Sequence, residues 1–163
     1  MSIRLPGELA GLLNELGYSW PESDEDQLID AGRDWLRLAG VISELQEDIA
    51  ATARQVVGDN TAQSIDAFLT QWQADDGSAA TLARGDAGAI AVGGGLTVCA
   101  GVVLALKINV LVQLTVLAAS IIQAIVTAVP TAGASLLEIP VVKQLTGVAI
   151  NFLIEQATDA VLG

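Results

Sequence analysis

The chain has 163 residues, enough for one domain with a real core, and a net charge of −12. Residues 1–86 hold five Arg and sixteen Asp or Glu, whereas residues 87–163 hold two Lys and three acids. The acidic front half repels phosphate backbones and argues against nucleic acid as a partner, and the absence of His removes His-based triads, general bases and metal ligands.

The first predicted element is "LPGELAGLLNELG". Pro6 suits a first helical turn and Gly17 a stop, and Leu9, Leu12, Leu13 and Leu16 share one face. In "YSWPESDED", Pro21 ends any helix running into it. Ser23 with Asp26 forms an imperfect capping box, and Asp24, Glu25 and Asp26 lie where a helix N-terminus favours negative charge. A calcium loop is excluded there, because the glycine bend and terminal bidentate Glu are missing.

A long helix is expected from Asp24 to about Val57. Leu28, Ala31, Trp35, Leu38, Ile42, Leu45, Ile49, Ala53 and Val56 repeat at three and four and make its apolar stripe. After "VGDNT", Asn60 or Thr61 can cap a helix whose apolar side is Ile65, Phe68, Leu69 and Trp72. Gly77 is the expected C-terminal residue of that helix, and Ser78 can cap the next. Gly93, Gly94 and Gly95 argue against a continuous helix through that point. With no Lys followed by Ser or Thr after it, "GGG" is not a phosphate loop.

The next helix is expected from about Leu96 to Val129, close in length to the Asp24–Val57 helix. "PTAGAS" is a loop, and "VVKQLTGVAINFLIEQATDAVL" is a last helix with Val142, Leu145, Ala149, Phe152 and Leu153 on its apolar face. No segment shows clear period-two alternation. The expected fold is all-α: an elongated helical hairpin or bundle of two long antiparallel helices with shorter flanking helices. It forms a single domain 1–163, acidic over residues 1–86 and apolar over residues 87–163. Cys99, set among Leu96, Val98, Val102 and Val103, is a structural cysteine of the apolar half.

Residues 108–129 carry no charge and would span about 33 Å as a helix, enough for a bilayer core. Lys107 inside the larger apolar run, a helix longer than a bilayer needs, and the lack of a basic cluster at either end weigh against a membrane span. Asn109, Gln113, Ser120, Gln123 and Thr127 fall within about 40° of one line on a helical wheel. Three readings of that line are open: a weakly polar outer face, a stripe facing a partner helix, or a polar lining inside a membrane assembly.

"WPESDEDQLIDAGRDWLRLAGVI" resembles the opening of the Trp-x-Gly-like (WXG-type) helical domain at the N-terminus of actinobacterial polymorphic toxins, a Trp-Pro-acid run leading into a long helix with an internal Trp. "SIDAFLTQWQADDGSAATLA" resembles that domain's second signature, an aromatic–Trp helix end followed by an acidic Gly turn. The resemblance implies type VII secretion, with pairing to small helical WXG-type partners or self-association and, in some relatives, a toxin carried behind the module. Two features depart from it. Trp72 lies five residues before Gly77 rather than two, and the Tyr-x-x-x-acid export signal is missing after the hairpin.

The expected function is therefore a non-catalytic targeting and interaction module, with no cofactor and no metal. Export would use a route that reads no signal peptide, since "MSIRLPGELAG" lacks an apolar core. The candidate interaction residues are Trp20, Trp35, Phe68, Trp72 and Gly77, together with the polar line Asn109 to Thr127. The alternative is a channel or translocation element in which residues 87–129 enter a bilayer.

Overall fold

The computed structural model describes residues 2–131 and 133–162. Among them are five α-helices: α1 (Gly7–Glu15), α2 (Glu25–Gly58), α3 (Gln63–Trp72), α4 (Ser78–Val126) and α5 (Glu138–Leu162), with a 3-10 turn at Ala134–Leu137 before α5. No strand occurs among the described residues, and the fold is all-α as expected. The contacts divide into two compact units, residues 27–98 and residues 1–26 with 99–163.

In the unit 27–98, α2 and α4 run antiparallel. Gly32 lies opposite Gly93, and fourteen residues further along α2 the Gln46 Nε2 donates to the carbonyl of Leu82 at 3.4 Å. The covered side of α2 coincides with the predicted stripe only in part: Ala53 is buried and Leu28, Ala31 and Ile42 are half-buried. The seam with α4 is Gly32, Ala39, half-buried Gln46 and Ala53, one residue in every seven. A seven-residue repeat tracks a neighbouring helix when the pair coils gently left-handed at 3.5 residues per turn. Small residues on that seam let the backbones approach closely. The larger residues Trp35, Leu38, Leu45, Ile49 and Val56 lie beside the seam and remain exposed.

The expected interruption at "GGG" is not there: α4 continues through it for 49 residues, against 34 for α2, so the expected match in length also fails. The reason is packing. A Cβ on Gly93 would sit 2.8 Å from Leu36 Cγ and 2.9 Å from the Gly32 carbonyl, so close contact offsets the poor helix propensity of glycine. Gly77 is a tight-turn residue rather than a helix end. α3 closes at Gln73, and a Cβ on Gly77 would meet the carbonyls of Gln71 at 2.7 Å and Ala74 at 2.9 Å. Neither Asn60 nor Thr61 caps α3. The N-cap position is Ala62, and Asn60 instead donates back to the Val56 carbonyl at the end of α2.

In the other unit, α1 packs its leucines on α4 and α5. Leu13, Val110, Leu114 and Ile150 form the buried core, flanked by half-buried Leu5, Leu9, Leu12, Leu16, Tyr18 and Trp20. Gly17 stops α1 as expected, with φ of +85°, a left-handed conformation that suits glycine. Gly133, φ +86°, turns the chain between α4 and the 3-10 segment, where its N–H donates to the Ala128 carbonyl at 2.7 Å. α5 starts at Glu138, two residues before Pro140. Proline is tolerated there because first-turn N–H groups have no intrahelical partner.

Candidate interaction surfaces

Lys107, the lone charge of the apolar run, is buried with 1% exposure. An ammonium inside protein is costly unless paired and hydrogen-bonded. Here all three of its protons have acceptors: Glu25 Oε2 at 2.7 Å, the Ser23 carbonyl at 2.6 Å and Ser2 Oγ at 3.0 Å. Glu25, 3% exposed, also accepts from the Ile3 N–H at 2.7 Å and from the Ser2 hydroxyl at 3.0 Å. The lysine first, and then the Ile3 N–H, hold the Glu25 carboxyl down to about 2.

Ser23 is not the cap that the Ser23–Asp26 spacing predicts. The N-cap is Asp24, whose carboxylate accepts the Asp26 N–H at 3.0 Å, and Glu25, one of the acids at that helix end, turns to the lysine. The signal that could have found the pair was Lys107 itself. A charge in forty apolar residues requires a carboxylate, and the first turn of α2 offers two, Glu25 and Asp26, just after the capping Asp24.

The aromatic candidates separate into two groups. Trp20 packs against the Leu13–Leu114 core. Phe68 and Trp72 stack on each other on α3, with ring centroids 5.9 Å apart and planes 23° from parallel. Trp72 also lines a cavity of about 320 Å³ with Leu45, Gln46, Ile49, Ser78 and Leu82. A second concavity of about 350 Å³, shared by Ile49, Val56, Phe68 and Trp72, adjoins it. Trp35 lies exposed on α2 beside Ala31, Asp34 and Leu38. Gly77 supports the turn that carries the chain from Trp72 into α4.

Along the polar line of α4, the side chains close onto their own helix. Asn109 donates to the Ala105 carbonyl, Ser120 to Val116 and Thr127 to Gln123, each at 2.9 Å. Ser120, Gln123 and Thr127 border a groove of about 390 Å³ that Glu138 and Val142 of α5 complete. Gln113 is half-buried. Hydroxyls bonded to the preceding turn present little polarity outward, so this face is less hydrophilic than its composition implies. Around it Ile108, Val112, Val116, Ile122 and Ile125 are exposed.

A family model described as a WXG100 like domain matches residues 4–147. The chain belongs to this family. The match begins in the arm before α1 and ends within α5, so it takes in α1 to α4 and the aromatic pair of α3. WXG100-like domains are helical proteins related to type VII secretion, and the antiparallel α2–α4 pair is the helical hairpin expected of them. The sequence has no two-residue Trp-x-Gly turn; Trp72 ends α3, and Gly77 precedes α4 where a Cβ would meet the carbonyls of Gln71 and Ala74. No curated protein and no solved structure matches the chain.

Proposed function

We propose that the chain is a non-catalytic secretion-targeting and interaction module of a polymorphic toxin, exported by a type VII route without a signal peptide. The whole chain, 1–163, would act as one module that pairs with small helical partners. The carrying observation is the uncovered apolar row Trp35, Leu38, Leu45, Ile49 and Val56 on α2, which lies outside the seam with α4. Contiguous apolar surface of this kind marks an association site. The candidate aromatics and the polar line of α4 are the residues through which pairing would occur. The test is purification without detergent, alone and with small helical proteins encoded beside it, followed by light scattering. A defined soluble heteromer supports the module, whereas monodisperse monomer in both preparations would remove it.

One observation favours a second reading, a membrane-inserting channel or translocation element built on 87–129. α4 and the segment Ala134–Leu162 are both long and apolar enough to cross a bilayer, and only 17% and 11% of their most apolar windows are buried. On that reading the protein stays in the membrane pellet through carbonate washing, whichever proteins are co-expressed.

A further inference from the structure

Along α2 the exposed apolar row has a largely acidic border, interrupted by Arg37. Advancing 100° per residue, Asp30, Asp34 and Asp48 fall on the side of the row away from the α4 seam, with Glu44 behind them. Asp30 and Asp34 face only exposed arginines of their own helix, Arg33 at 3.1 Å and Arg37 at 2.5 Å. Such pairs contribute little and exchange readily. Glu44 and Asp48 have no ion pair among the described residues, and Asp48 borders the concavity that holds Ile49, Phe68 and Trp72. Residues 27–98 hold ten acids, four Arg and no Lys, a net charge of −6. A second copy of this surface would therefore meet repulsion, as would an anionic lipid surface.

We infer that the α2 face is a docking site for an amphipathic helix that sets an apolar row against Leu38, Leu45 and Ile49 and lysines or arginines against Asp34 and Asp48. The inference rests on the module reading above and specifies the face and the partner's chemistry. Apolar contact supplies the affinity, and the acidic border selects the partner's orientation and accelerates encounter. The cleft under Trp72 receives the largest apolar side chain of the incoming helix, because Leu45, Ile49 and Leu82 already wall it.

The test uses the full chain and two synthetic amphipathic helices of about 18 residues. They share one apolar face, and their flanks are lysine in one and glutamate in the other. Fluorescence anisotropy should show the lysine helix binding at least about tenfold tighter, with the preference shrinking as salt rises from ~0.05 to ~0.5 M. Asp34→Lys with Asp48→Lys should erase the preference. Leu45→Glu should abolish binding, with helicity retained because the site is exposed. Equal binding of both helices, a preference for the glutamate helix, or no binding overturns the inference. Heteromer formation with a co-expressed neighbour separates the two readings. If the heteromer forms and survives Leu45→Glu, the module stands and this face is wrong; if none forms, the module falls.

Discussion

Glu25→Gln removes the carboxylate paired with Lys107 and leaves a buried ammonium with neutral acceptors only among the described residues. Stranding one partner of a buried pair costs about 3–5 kcal/mol when the site is dry. The carboxyl's fall from 4.5 to about 2 gives an independent figure, about 3.4 kcal/mol at ~1.36 kcal/mol per pH unit. The glutamine amide oxygen still offers the ammonium an acceptor, so part of the interaction survives the substitution. We discount the figure to about 2 kcal/mol, a fall of about 4–8 °C in Tm for a chain of this size.

The sign with pH follows from the depression. The contribution is fully present above about pH 5, and it disappears as pH falls from about 4.5 towards 2, when the folded carboxyl takes up its proton. Thermal unfolding followed by circular dichroism, for wild type and Glu25→Gln between pH 2 and 7, measures both effects. The double variant Glu25→Leu with Lys107→Met should recover most of the loss, since two apolar residues leave no unpaired charge. A Glu25→Gln protein that melts within about 1 °C of wild type at pH 7, with the gap unchanged at pH 2, would refute the pair.

Glycine substitutions in the three-glycine run should differ in sign. Gly93→Ala should destabilise by about 1–3 kcal/mol, because its Cβ meets Leu36 and the Gly32 carbonyl. Gly94→Ala and Gly95→Ala meet nothing within 4 Å and should stabilise by up to about 1 kcal/mol, as thermal melts would show. Leu114→Ala, at a side chain with 0% exposure, should cost about 2–5 kcal/mol in urea unfolding, whereas Val112→Ala on the exposed side should cost well under ~1 kcal/mol. Gly133→Ala forces a Cβ into a left-handed turn and should lower stability by about 1 kcal/mol, a loss that Gly133→Asn partly restores.

The existence and type of the helices were legible in the sequence, because each follows from local chemistry. The leucines of α1, the acids that open α2 and the glycine that ends α1 act on their own turns, through spacing, capping and backbone freedom. The family signature was legible for the same reason, as a local order of Trp, Pro, acid and Gly. What the tertiary structure decided was which face of each helix is covered. On α2, period counting found Ala53 but otherwise selected large apolar residues, whereas Gly32 and Ala39 lie on the α4 seam, because backbone approach at Gly32 and Gly93 leaves no room for a large side chain. The continuity of α4 through three glycines depends on that same approach, which no local propensity encodes. The Lys107–Glu25 pair joins residues 82 positions apart. Each appeared alone as an isolated charge or a capping acid, and only the packing of the α2 start against α4 makes them one buried site.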